Sequence, residues 1–183
     1  MVTESQKTRH AITLVQQKEQ LKNNWLGIRK LYRKCIQSNR FAAIASVNTE
    51  NIPTVTPIGS LFLNKDETTG FYFEKFTSSI RKNAVQNPNI CVLAVNSGFW
   101  FWLKSLFSGK FKHYPSIKLY GVVGKLRDAT EAEQARIYRR LNRAKGLKGY
   151  DLLWGEMSQV REIDFYHFET TKLGKMSQLS TIG

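Results

Sequence analysis

Three short runs decide the fold: Phe41-Ala42-Ala43-Ile44-Ala45-Ser46-Val47, Pro53-Thr54-Val55-Thr56-Pro57-Ile58-Gly59-Ser60-Leu61-Phe62-Leu63, and Phe71-Tyr72-Phe73. The first is apolar and of strand length, and the second is rich in β-branched residues. Asn48-Thr49-Glu50-Asn51 between them reads as a turn, so the two runs predict a hairpin. A second polar turn, Asn64 to Gly70, leads into the third run. Three antiparallel strands in succession, without strand–helix alternation, speak against a parallel dinucleotide-binding sheet.

Working outward, Thr77 to Asn87 reads as a short helix that Asn87-Pro88 ends. The hydroxyl of Thr77, Ser78 or Ser79 is placed to cap it. Ile90–Val95, Ile117–Leu126 and Val160–Phe168 complete a set of six strands, with Gly121 and Gly124 marking a bulge or close packing. Residues 97–115 fit no regular element. Asp128–Lys145 reads as a helix with a Thr130/Glu133 capping box and Gly146 at its C-terminal cap. Upstream, Leu14, Leu21, Trp25, Ile28, Leu31, Tyr32, Cys35 and Ile36 recur near the 3.6-residue period, predicting helix over residues 3–38 with Asn23-Asn24 as its potential break. The expected class is α+β: an antiparallel six-stranded barrel with flanking helices and an N-terminal helical extension.

Length and composition agree with that reading. The chain has 183 residues, 42% hydrophobic and 23% charged, the balance of one globular domain. No stretch reaches the length of a spanning helix, and Met1 to His10 is too polar for a secretory signal. Cys35 and Cys91 cannot build a disulfide framework and lack zinc spacing, so a reduced, cytoplasmic protein is expected. Charge is the outlier, at +14. Residues 1–40 hold nine basic and two acidic side chains, and residues 98–127 hold six basic and none acidic, whereas the rest is nearly balanced. Such an excess favours phosphate-bearing partners. Two diffuse basic regions, rather than one dense stripe, argue against nucleic acid.

The strongest local candidate for a phosphate follows the third strand. Thr77-Ser78-Ser79-Ile80-Arg81-Lys82-Asn83 places hydroxyls, free backbone N–H groups and two cations at a helix start. An ordinary capped surface helix has the same composition.

This order of elements resembles the pyridoxamine 5′-phosphate oxidase-like, flavin-binding split-barrel family. The likeness is carried by residues 25–96: a helix, the three strand runs, Ser-Ser-Ile-Arg-Lys-Asn, and Asn87-Pro88-Asn89-Ile90-Cys91-Val92, with weaker continuation to Arg161. The resemblance implies a split-barrel flavin-binding domain over residues 39–183, with residues 1–38 packing on the barrel or on a partner subunit. It implies flavin mononucleotide (FMN) at a homodimer interface, with two-electron transfer between the flavin and a small substrate or a nicotinamide cofactor. Thr56, Pro57, Ile58, Gly59 and Ser60 would run under the flavin ring. Phe73 and Glu74 would line the ribityl chain. Ser78, Ser79, Arg81, Lys82 and Asn83 would surround the phosphate. Lys118 would stand near the ring, and Trp154 and Arg161 would reach in from the second subunit. One departure is plain: counted back from Pro88, the family's usual arginine and lysine positions hold Ser79 and Ile80. A non-enzymatic relative, or one binding haem or a deazaflavin, is therefore the alternative.

Phe99-Trp100-Phe101-Trp102-Leu103-Lys104-Ser105-Leu106-Phe107 and the basic run Lys110 to Pro115 interrupt the barrel where a short turn would serve. Three readings stand: a core or dimer-interface segment, a lid over the flavin pocket, or contact with a membrane surface or single strand. His10, His113 and His167 are scattered, and no metal or side-chain nucleophile motif is present, so no catalytic residue is named. An enzyme of this kind would leave the chemistry to its cofactor.

Overall fold

Leu21, Trp25, Ile28, Leu31, Tyr32 and Cys35 are all buried, forming the apolar face of α1 (Glu4–Asn39). The computed structural model describes residues 4–179 and 182, with side chains from residue 13. The expected helix start at residue 3 and the His10 side chain lie outside the described residues. Asn23-Asn24 does not break α1. The Asn24 amide donates to the Gln20 carbonyl one turn back (2.8 Å), which keeps it within the helix.

Seven strands form one antiparallel sheet: β1 (Ala42–Val47), β2 (Pro53–Ile58), β3 (Phe62–Leu63), β4 (Thr69–Phe73), β5 (Asn89–Val95), β6 (Ser116–Asp128) and β7 (Gln159–Thr170). Their order is β2-β1-β5-β6-β7-β4-β3. The α+β class is the expected one, but the strand count is seven rather than six. The run from Pro53 to Leu63 is divided at Gly59-Ser60-Leu61, where backbone groups leave the ladder. Ser60 Oγ accepts from the Phe73 N–H (3.3 Å), and the Leu61 carbonyl accepts from the Tyr32 hydroxyl (3.1 Å). The two edge strands are thus consecutive in the chain and joined by three residues, so the sheet must curl until its edges meet, as in a split barrel.

The longest pairing, β6 with β7, changes register between Tyr120 and Gly121 and again between Val123 and Leu126. Gly121 is required there by space. A Cβ would lie 2.7 Å from Ile163 Cγ2 and 2.9 Å from Phe165 Cδ1. α1 packs on the inner residues Ile44, Val92, Leu119, Ile163 and Phe165 in the larger core. A smaller core joins Phe62, Phe71, Phe73, Met157 and Val160 to Ile137 of α4 (Glu131–Leu141).

The remaining helices are α2 (Ser78–Ala84), α3 (Phe99–Ser108) and α5 (Tyr150–Trp154). α2 has no side-chain cap at Thr77, which is buried, so the expected hydroxyl cap there is corrected. The helix is held instead by Ile80 in the core and by Asn83, whose amide donates to Ser46 Oγ and Thr54 Oγ1 (both 2.9 Å). α4 has the expected capping box, with Glu133 N–H to Thr130 Oγ1 at 3.3 Å and Thr130 N–H to Glu133 Oε2 at 2.9 Å. It ends at Leu141 in a 3-10 turn, so Gly146 (φ +90°) lies beyond its end. The stretch 97–115, which fits no element by sequence, holds α3. Aromatic residues carry modest helix propensity and Gly98 offers no capping side chain. Tertiary contacts and the left-handed Gly109 (φ +65°) at its end supply what local signals lack.

A cation-lined cleft as candidate ligand site

Arg136 and Arg140 stand four residues apart on α4, so they share a face. That face covers the β2–β3 connection. Arg140 Nη1 donates to the carbonyls of Gly59 (2.6 Å) and Leu61 (3.1 Å), and its guanidinium lies 3.7 Å from the centre of the Phe62 ring. Arg136 Nη2 donates to the Leu63 carbonyl (2.9 Å), and its guanidinium sits 4.8 and 5.0 Å from the Phe62 and Phe71 rings. Burial holds both guanidinium groups below the ordinary arginine range. Nearby cations add to it: Arg29 on Arg136, and Arg136 on Arg140.

Across from α4, α1 presents Arg29 and Arg33, with Arg40 just beyond its end, and the β4–α2 connection presents Lys75 and Phe76. With Arg143, Tyr32, Trp154 and the segment Pro57-Ile58-Gly59-Ser60, these side chains line a cleft of about 670 Å³. Seven cations face it, and no aspartate or glutamate does. Among the described residues, none of the seven has an ion-pair partner. Backbone carbonyls and aromatic faces hold Arg136 and Arg140 in place without neutralising them, so a positive potential remains to attract an anion. The volume lies within the ~300–1,000 Å³ typical of small-molecule sites. Two non-glycine residues in the left-handed region, Arg40 (φ +67°) and Phe76 (φ +59°), both border it. Arg40 closes α1, its N–H meeting the Ile36 carbonyl at 2.8 Å. An aromatic residue such as Phe76 has no such common use, and strain of this kind gathers at binding sites.

The structure divides the residues singled out from sequence. Pro57, Ile58, Gly59, Ser60 and Trp154 line the cleft within one chain, whereas Thr56 lies just outside its lining. Phe73 is buried in the smaller core beneath it. Glu74 is nearly buried and engaged by Arg161, with Nε to Oε2 at 3.2 Å. Beside it lies the buried Tyr72 hydroxyl, which has no hydrogen-bond partner. Burial and the Glu74 carboxylate both keep it protonated. Ser78, Ser79, Arg81 and Lys82 are exposed on α2 and do not line the cleft. Asn83 points into the fold, as described above. Lys118 pairs with Glu169 across β6 and β7 (3.4 Å), away from the cleft. Ile80, at the position where the resemblance implies a lysine, is fully buried. Cys35 is buried with its thiol pushed up to about 12, which leaves it unreactive.

The arginines of α1 and α4 were not singled out from sequence. Their signal was there: Arg29 with Arg33, and Arg136 with Arg140, repeat at i, i+4 within predicted helices. In α4 the acids Glu131 and Glu133 offset these arginines in the net charge, and in α1 the arginines lie among lysines on other faces.

His113 of the aromatic insertion is buried. Its Nδ1 lies 3.1 Å from the Tyr114 carbonyl, and its ring stacks on Phe101 at 4.5 Å. Desolvation lowers its pKa below 6.5, against the Tyr114 hydrogen bond, with Lys34 of α1 and Lys112 adding to the lowering. The unfolded chain therefore takes up a proton first as pH falls. Stability is expected to be complete above about 6.5 and to decline below it, until the folded-state pKa is reached. Urea unfolding across that range should show a shallower pH slope for His113→Gln than for wild type.

The sequence profile of pyridoxamine 5′-phosphate oxidase matches residues 28–164. The chain belongs to this family. The matched span runs from the buried face of α1 through the cleft-bearing α4 to β7, so it includes both walls of the cleft. Solved structures show the same fold at low identity. An FMN-binding protein from Syntrophomonas wolfei subsp. wolfei is 14% identical with a TM-score of 0.52, covering 93% of this chain and 99% of its own. HupZ from Group A Streptococcus is 14% identical with a TM-score of 0.50, covering 82% of this chain and 97% of its own. No curated protein matches. In this member of the pyridoxamine 5′-phosphate oxidase family, Ile80 of α2 is buried, and the cations that line the cleft are concentrated on α1 and α4.

Proposed function

We propose that this protein binds FMN in the cation-lined cleft and works as an oxidoreductase on a small anionic substrate. One observation carries the reading: seven cations and no carboxylate line a cleft of small-molecule size, and four of those cations (Arg29, Lys75, Arg136 and Arg140) are partly buried. The donor set suits a phosphate-bearing ring compound. Arg33, Lys75, Arg136, Arg140 and Arg143 would hold the phosphate, where charge-assisted hydrogen bonds are strong. Pro57 to Ser60, with the Phe62 ring, would meet the planar part of the ligand. Flavin, when bound, supplies two-electron transfer. The chain's own residues bind, orient and exclude water.

A homodimer is part of this proposal. Val55 of β2, Ile52 just before it and Val85 just after α2 are exposed, apolar surface that a second subunit would cover. The alternative, a non-enzymatic or haem- or deazaflavin-binding member, is favoured by one observation, the burial of Ile80 where a phosphate-binding lysine is usual.

FMN titration tests the reading. Quenching of flavin fluorescence should saturate in the micromolar range or below. Ligand at about 100 times its Kd should add roughly 2.7 kcal/mol of stability, and hence raise Tm by about 5–10 °C for a domain of this size. Absence of quenching, together with a haem Soret band on mixing with haem, would instead support the alternative.

A further inference from the structure

α3 is mounted with its apolar side outward. Its inner side is fixed by specific contacts. Phe101 stacks on His113 and Phe111, Ser105 is buried, and Trp102 Nε1 donates to the Asn96 carbonyl at 2.8 Å. At 3.6 residues per turn, Leu106, Phe99, Leu103, Phe107 and Trp100 fall on one outward arc of about 120°. Exposure agrees at four of the five, with Phe99 and Trp100 each 68% exposed, Leu106 66% and Phe107 85%, while Leu103 is half-buried. A helix in a soluble fold ordinarily turns such a face to the core. Exposed Lys104 borders the arc, and exposed Lys110 and Lys112 follow the helix end. No acidic residue occurs between Gly98 and Arg127.

We propose that α3 docks this protein on an anionic lipid surface, with its aromatic and leucine face in the interfacial layer and its lysines at the headgroups. Aromatic residues favour that layer, and lysines gain from anionic lipid. Charge complementarity selects this occupant. A second copy bringing the same patch would set these lysines against their equivalents. A nucleic-acid strand would use flat ring faces, but Phe99 and Trp100 meet at 75° and Leu103 and Leu106 have no ring. At ten residues α3 is about 15 Å long and lies on a bilayer rather than crossing it. Among the described residues no helix is long and apolar enough to span one. This inference is independent of the flavin reading.

Co-sedimentation of the full chain with vesicles tests it, comparing phosphatidylcholine alone with phosphatidylcholine containing phosphatidylglycerol. Binding should be at least about tenfold tighter to the anionic vesicles, should weaken with salt, and should shift tryptophan emission to the blue. Phe107→Asp, at a site where the side chain touches little, should weaken binding about tenfold or more with the urea midpoint unchanged. Lys104→Glu with Lys110→Glu and Lys112→Glu should remove the preference for anionic lipid. The proposal is overturned if neither vesicle binds the protein, or if the lysine variant keeps the preference. It is also overturned if vesicles fail and Phe107→Asp instead changes the oligomeric state or oligonucleotide binding.

Discussion

Alanine at Arg140 should weaken FMN binding by roughly 10- to 150-fold, the loss of one charge-assisted hydrogen bond worth about 1.5–3 kcal/mol. Arg140 has two tasks. It faces the cleft as a cation, and it clamps the Gly59 and Leu61 carbonyls while stacking on Phe62. Removing it frees the segment that would lie against the ring and withdraws a charge that would hold the phosphate. Its effect on the unliganded fold should be smaller, about 1–2 kcal/mol, because the exposed Gly59 carbonyl meets cleft water, the Leu61 carbonyl keeps the Tyr32 hydroxyl, and Arg136 loses a like-charged neighbour. Arg140→Lys keeps the charge and loses the planar fork, so its affinity should fall between the two. The comparison variant is Arg81→Ala with Lys82→Ala on α2. Both side chains are exposed and outside the cleft lining, so this change should cost less affinity than Arg140→Ala. Fluorescence titration of the three variants under one salt condition ranks the two regions directly.

The second large effect is on stability. Arg161→Met should cost about 3–5 kcal/mol, because it leaves the Glu74 carboxylate buried without its cation. The Glu74 side chain is 5% exposed and that of Arg161 14%, so water offers little relief. The fully buried Tyr72 hydroxyl beside them has no hydrogen-bond partner. Such a loss is a large share of the ~5–15 kcal/mol that holds an ordinary domain together. Glu74→Gln combined with Arg161→Met removes both charges and should recover most of it. Urea midpoints of the two single variants and the double variant measure the coupling. A double variant as unstable as Arg161→Met would mean that packing, rather than charge, sets the loss.

Much of the architecture is legible in the amino-acid sequence. Short apolar runs parted by polar turns mark β1, β4, β5, β6 and β7 within a residue or two and the start of β2, and Thr130 with Glu133 marks the start of α4. Three features are not legible there, each for a physical reason. The break between β2 and β3 depends on Ser60 and Leu61 finding partners on β4, α1 and α4, contacts far away in sequence. α3 is a helix that tertiary contacts hold against weak local propensity. The cleft joins arginines from α1 and α4, more than 90 positions apart in the chain, and no local motif links two helices so distant in sequence. The hydroxyl- and cation-rich start of α2 is the visible pattern, yet there Asn83 and Ile80 serve the interior while Arg81 and Lys82 face solvent.

A crystal structure of the protein grown with FMN tests the central claim most directly. The account predicts ligand density in the cleft, its phosphate within hydrogen-bond reach of Arg136 or Arg140 and its ring against Pro57 to Ser60. Density seated instead on the outer face of α2, beside Arg81 and Lys82, with the arginine-lined cleft holding only water, would contradict it.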